Sequence, residues 1–194
     1  MKVAIVKYNA GNIASVQNAL GRLGVESEVT DEADVLSRAD KVIFPGVGEA
    51  STAMQYLRER GLDAVIKTLT QPVLGICLGM QLLCSYSEEN DTDCLGIFPN
   101  RVKRFAGSDL KVPQVGWNTI SNLKGPMFAD VTDKSHVYFV HGYYVEESDK
   151  SAAICSYGVN FAAAIQNENF YAVQFHCEKS GVVGEQILAN FLNI

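Results

Sequence analysis

A chain of 194 residues that is 47% hydrophobic can bury one sizeable core without disulfide or metal staples. Its 22 acidic against 16 basic side chains leave a net charge of -6 with no visible basic face, which excludes nucleic-acid binding and favours a small-molecule substrate. The first strand starts at Lys2 with no signal peptide before it, and no apolar run approaches the roughly 20 residues of a membrane span. The five cysteines form no CxxC pair, so reduced thiols are expected, in one soluble, cytoplasmic domain spanning residues 1–194 with no metal and no cofactor.

Residues 2–6 read as a short apolar strand, and Asn9-Ala10-Gly11-Asn12 as a turn into a helix with Val16, Leu20 and Leu23 at helical spacing, ended by Gly24. A second strand over 26–30, an acidic helix through Arg38 and a third strand over 41–44 follow, the last running into Pro45-Gly46-Val47-Gly48. Strands alternating with helices predict an α/β fold: a doubly wound, mostly parallel sheet that holds ligands at the carboxyl ends of its strands. The glycine-rich turns at 46–48 and 75–79 are therefore expected to face one crevice. Residues 91–119, with Gly96, Pro99, Gly107 and Pro113, read as antiparallel ribbon and loop, an inserted or edge segment. Strands over 137–141, 152–157, 161–166 and 171–175 predict a largely antiparallel second half, and a last helix from Ser180 sets Val183, Ile187, Leu188 and Phe191 on one face.

The chemistry centres on Gly75-Ile76-Cys77-Leu78-Gly79. A buried strand over 72–76 stops at Cys77, and Met80-Gln81-Leu82-Leu83 begins a helix, so the cysteine sits at the apex of a strand, a sharp turn and a helix. Glycines two positions before and after the apex suit a nucleophile elbow, where backbone approaches too closely for side chains. The amino end of a helix favours a thiolate through its dipole and free N–H groups. A lone strand cysteine is more often a buried apolar residue, but the paired glycines and the helix start make Cys77 the candidate nucleophile.

A thiolate needs a base and a group that orients the base. Of three histidines, His176 follows the strand over 171–175 at its carboxyl end, with Glu178 two residues on. His136 precedes its strand, opposite the crevice if that strand is parallel, and reads as a surface histidine. His141 with Gly142-Tyr143 suits a ligand-binding loop, and a hydrogen-bonded structural histidine equally well. The N–H of Leu78 and that of Val47 or Gly48 are candidate oxyanion donors, although Gly46-Val47-Gly48 also reads as an ordinary strand-to-helix turn.

Residues 75–81, Pro45-Gly46-Val47-Gly48 and Gln174-Phe175-His176-Cys177-Glu178-Lys179-Ser180-Gly181 resemble the motifs of class I glutamine amidotransferases. Asn9-Ala10-Gly11-Asn12, Val115-Gly116-Trp117-Asn118 and Tyr138-Phe139-Val140-His141 narrow the resemblance, along the whole chain, to the glutaminase subunits of imidazole glycerol phosphate synthase. The resemblance implies a flavodoxin-like domain with a Cys77-His176-Glu178 triad. Cys77 would attack the side-chain amide of L-glutamine, form a glutamyl thioester and release ammonia to a cyclase partner in a heterodimer. The cyclase would use it to make imidazole glycerol phosphate and AICAR in histidine biosynthesis. The same matches imply that Val47 and Leu78 form the oxyanion hole, that Gly46, Gly48, Gln81, His141, Gly142 and Tyr143 hold glutamine, and that Asn12, Trp117, Tyr138 and Lys179 face the cyclase. Read without the resemblance, Trp117 and Tyr138 are core packing. Cys177 stands where the family usually has proline, which predicts a looser turn between His176 and Glu178. Gly142 replaces a small hydroxyl residue, leaving only backbone there to contact substrate. A subunit serving another ammonia acceptor, as in surface-sugar biosynthesis, and a noncatalytic module of the same fold are the alternatives.

Overall fold

The computed structural model describes residues 1–9, 13–107 and 110–194; Asn12 and the turn before it lie outside the described residues. The elements run β1 (Val3–Val6), α1 (Ile13–Arg22), β2 (Ser27–Thr30), α2 (Ala33–Arg38), β3 (Lys41–Phe44), α3 (Ala50–Glu59), α4 (Leu62–Lys67), β4 (Val73–Ile76) and α5 (Leu78–Leu83). Short strands β5 (Tyr86–Ser87), β6 (Thr92–Asp93) and β7 (Arg101–Arg104) follow, then β8 (Gln114–Thr119), β9 (His136–His141), β10 (Tyr143–Val145), β11 (Ser151–Tyr157), β12 (Val159–Asn167), β13 (Phe170–Val173) and α6 (Gly181–Asn193).

The first four strands lie side by side in the order β2-β1-β3-β4, all parallel, as alternating strands and helices require. Both faces are apolar because both are covered. Val3 and Ile5 join Val16, Leu20, Leu188 and Phe191 on one side, while Ala4 and Val6 join Leu36, Met54, Leu57 and Ile66 on the other. Burying each of these side chains other than Ala4 stabilises the fold by about 1.5–3 kcal/mol.

The antiparallel second half is as expected for β11 and β12; β10, which the sequence did not suggest, joins them, with β7, β5 and β6 at the sheet edge. Strand β13 is antiparallel to β12 but parallel to β4, in register Phe170 with Val73 through Val173 with Ile76. It thus completes a row of five parallel strands. The carboxyl end of β4 is flanked by those of β3 and β13, so residues 45–48, Cys77 and His176 converge.

Strand β9 leaves the main sheet and pairs only with β8, antiparallel, as a two-stranded ribbon. His136 is exposed at the start of that ribbon, so its distance from the crevice follows from the ribbon and not from a parallel strand. Val137 and Phe139 are buried on the inner side. Val115 opposite Val140 and Trp117 opposite Tyr138 form the outer face. Among the described residues, no helix is long and apolar enough to cross a membrane, and all five cysteines are free thiols.

Candidate active site

Cys77 has φ 53° and ψ -107°, a conformation an L-residue adopts only under constraint. The constraint is visible on both sides. A Cβ on Gly79 would fall 1.8 Å from the Phe44 carbonyl oxygen, and one on Gly75 would lie 2.7 Å from Leu83 Cδ1 and 3.0 Å from the Met80 nitrogen. Only glycines let α5 pack this tightly over the end of β3, and the tight packing holds Cys77 at the apex.

His176 and Glu178 are buried. Glu178 Oε1 accepts a hydrogen bond from His176 Nδ1 at 2.8 Å, which leaves the other ring nitrogen for Cys77. Burial disfavours the charged imidazole, yet hydrogen bonds to the Cys77 sulfur and the Glu178 carboxylate raise its pKa well above the ordinary histidine value. The looser turn predicted from Cys177 is not observed. Residues Cys177–Lys179 form one 3-10 turn, clamped from outside. Ser180 Oγ donates to the His176 carbonyl at 2.7 Å and accepts from Tyr138 N–H at 2.9 Å, while His176 N–H donates to the Tyr138 carbonyl at 2.9 Å. Strand β9 therefore supplies the rigidity a proline would have given.

The loop after β3 is held by Tyr8, whose hydroxyl donates to the Pro45 carbonyl and occupies the space a Cβ on Gly46 would need. The Gly46 carbonyl accepts from Leu78 N–H at 3.2 Å, so the expected oxyanion donor is engaged by the loop itself. Gly48 has φ 142°, which glycine alone tolerates well.

Cys77 opens into a cleft of about 260 Å³ lined by Val47, Gly48, Gln81, Glu89, Val140 and His141-Gly142-Tyr143, among others. Glu89 is the charged residue of this lining. A larger cleft of about 460 Å³ lies at the amino ends of β1 and β2, among Lys2, Glu26, Glu28 and Arg38. Its lining holds no cysteine or histidine, and it sits at the end of a parallel sheet that does not bind ligands.

The His141 ring is engaged on both nitrogens, Nδ1 with the Tyr143 carbonyl at 2.7 Å and Nε2 with the Gln114 side-chain amide at 3.0 Å. It meets the cleft through its backbone. Burial, helped by the nearby charge of His176, pushes its pKa down to about 4. A histidine kept neutral by the fold but protonated when unfolded stabilises above about pH 6.5, and that contribution is lost as pH falls toward 4. Urea unfolding should therefore show about 3 kcal/mol lost through His141 between pH 7 and pH 4, a loss that His141→Gln removes. An unchanged pH slope in that variant would contradict the assignment.

Trp117 is 56% exposed and stacks edge-on against the half-buried Tyr138, which corrects the core-packing reading of both. Lys179 is exposed beside the triad turn. Tyr8 and Glu89 join the site without having stood out in the sequence, and Gln174, the first residue of the motif over 174–181, joins it without a role having been read for it. Gln174 carried a usable signal, an amide closing an otherwise apolar strand next to the candidate base.

The class I glutamine amidotransferase family model matches residues 4–194. The imidazole glycerol phosphate synthase subunit HisH of Bacteroides fragilis is 60% identical, covering all of both chains, and that of Haemophilus influenzae is 46% identical over 99% of this chain and 97% of its own. A glutamine amidotransferase from Thermotoga maritima has the same fold, with a TM-score of 0.64 at 16% identity over 99% of this chain and 82% of its own. So does PurLQS from the same organism, with a TM-score of 0.71 at 18% identity over 99% and 97%. A glycine-flanked cysteine elbow at the centre of a parallel sheet, together with full-length identity of the order seen to the HisH chains, means that the chain belongs to the class I glutamine amidotransferases, in the branch of its HisH relatives.

Proposed function

We propose that this chain is the glutaminase subunit of an imidazole glycerol phosphate synthase, a single cytoplasmic domain that hydrolyses L-glutamine and hands ammonia to a cyclase. The observation that carries this reading is the line from Cys77 through His176 to Glu178 at the floor of a cleft with one carboxylate, Glu89. The thiolate attacks the side-chain amide carbon of glutamine, and charge develops on the carbonyl oxygen. His176 gives its proton to the departing nitrogen, which leaves as ammonia. It then takes a proton from the water that cleaves the thioester, so glutamate is released and the sulfur is restored. Glu178 holds the ring and its charge. Gln81 and the backbone of residues 141–143 frame the substrate, and Glu89 faces its α-ammonium.

The outer face of the ribbon, with Val115, Trp117, Tyr138 and Val140, is an apolar surface next to the cleft and suits the cyclase. Tyr138 and Val140 also touch the site through their backbones, at His176 N–H and at Cys77 Sγ, 3.7 Å away. The test is to incubate the chain and its cyclase complex with an electrophilic glutamine analogue and map the adduct by mass spectrometry. A single adduct on Cys77, blocked by glutamine, is expected. Labelling elsewhere, or no competition by glutamine, rejects the reading.

A further inference from the structure

Gln174 lies one residue beyond β13, is fully buried, and has no part in the triad chemistry. Its side-chain Nε2 is 3.7 Å from Cys77 Sγ, and its Oε1 accepts from Gln81 Nε2 at 3.0 Å. Gln81 Nε2 also donates to the Tyr143 carbonyl at 3.0 Å. A backbone carbonyl only accepts, so Tyr143 fixes which end of the Gln81 amide points to it. That donor in turn requires the oxygen of Gln174. The end of Gln174 that remains for the sulfur is its NH2 group. Turning either amide over would oppose two donors or two acceptors in a buried place.

His176 gives the sulfur one donor, and a thiolate gains from a second on its other side. The Val140 carbonyl, 3.7 Å from Sγ, can accept from a thiol but repels a thiolate. Helix α5 has six residues, too few for a full macrodipole, and its first N–H is taken by Gly46. We propose that Gln174 is a further catalytic residue: as the end of the relay from the Tyr143 carbonyl through Gln81, it donates an N–H to Cys77 Sγ and stabilises the thiolate. This deepens the glutaminase reading and rests on it for turnover, but not for the state of the sulfur.

The titratable groups around Cys77 are His176 with Glu178 behind it, Tyr8, whose phenol is kept protonated by burial and then by the charge of Cys77, and His141, Tyr143 and Glu89 in the cleft. None of them is altered in Gln174→Met, which keeps the shape and removes the donor, or in Gln174→Glu, which keeps the acceptor for Gln81 and sets oxygen against sulfur. The test follows alkylation of Cys77 by iodoacetamide, read on its own peptide by mass spectrometry, from about pH 6 to 9. Loss of a hydrogen bond to a charged group should slow alkylation about tenfold at neutral pH in Gln174→Met and more in Gln174→Glu, with convergence on the unsubstituted rate at high pH.

In the complex with cyclase, kcat should fall by about tenfold while KM changes less than about twofold, because Tyr143 still holds Gln81. Alkylation profiles that coincide with the unsubstituted chain in both variants would overturn the proposal. If neither variant folds, the side-chain amide signals of Gln174 in the 15N-glutamine-labelled protein decide it: they should move when Cys77 is alkylated, and signals that stay put overturn the proposal. Slowed alkylation in the variants of a protein that releases no glutamate would leave the proposal standing and remove the glutaminase reading.

Discussion

In Cys77→Ala, glutamate release should fall to background, while the fold, cyclase binding and cyclisation with free ammonia persist. In the proposed mechanism glutamine cleavage runs through a covalent bond to this sulfur, and no other thiol is placed to substitute for it. Burial holds Cys84 and Cys177 protonated and pushes Cys94 and Cys155 up to about 12, so all four are poor nucleophiles at neutral pH. Alanine at Cys84, Cys94 or Cys155 should accordingly leave turnover within a few-fold of the unsubstituted rate. His176→Ala should cost about a thousandfold or more in kcat, and Glu178→Gln less, since an imidazole without its orienter still accepts protons part of the time. Glutamate release by Cys77→Ala near the unsubstituted rate would refute the nucleophile, and a larger loss in His136→Ala than in His176→Ala would refute the base.

The second large effect concerns the partner. In the resting geometry the Gly46 carbonyl sits on Leu78 N–H, so the place where an oxyanion should be stabilised already holds an oxygen. One rotation of the peptide between Gly46 and Val47 would withdraw that carbonyl, free Leu78 N–H and present the N–H of Val47. Two donors would appear together, and the glycines at 46 and 48 make the rotation accessible. An isolated glutaminase chain should therefore hydrolyse glutamine poorly. Shifting the competent loop from about 1% to mostly populated takes roughly 3–5 kcal/mol of differential binding, within reach of an interface contact or two. Cyclase carrying its acceptor nucleotide should raise glutamate release at least about a hundredfold, with Lys179 and Asn12 carrying part of the effect. Equal rates for the isolated chain, the complex and the nucleotide-bound complex would mean that the hole is assembled without the partner.

How much of this was legible in the sequence depended on the range of the interactions. The elbow could be read because both of its requirements, close backbone packing at Gly75 and at Gly79, fall within two residues of Cys77. The His176–Glu178 pair could be read for the same reason. The parallel half declared itself through uniformly apolar strands between helices. The ribbon showed only as a character of residues 91–119, because the strand that pairs with β8 lies beyond them in β9, and Trp117 looks like core when nothing local shows that its face is uncovered. Glu89 and the role of Gln174 were missed on similar grounds: their partners Ala50 and Gln81 lie 39 and 93 residues away, and alternation cannot tell an inward amide from an outward one.

The positive φ of Cys77 also says something about selection. Glycine would fit that backbone without strain, whereas a side chain there costs of order 1–3 kcal/mol. A glycine at this apex would relieve the strain at the expense of the proposed nucleophile. A lineage that lost its need for ammonia from glutamine would be expected to lose the cysteine early and gain stability by doing so. The cysteine is the residue that the proposed chemistry needs and the fold does not.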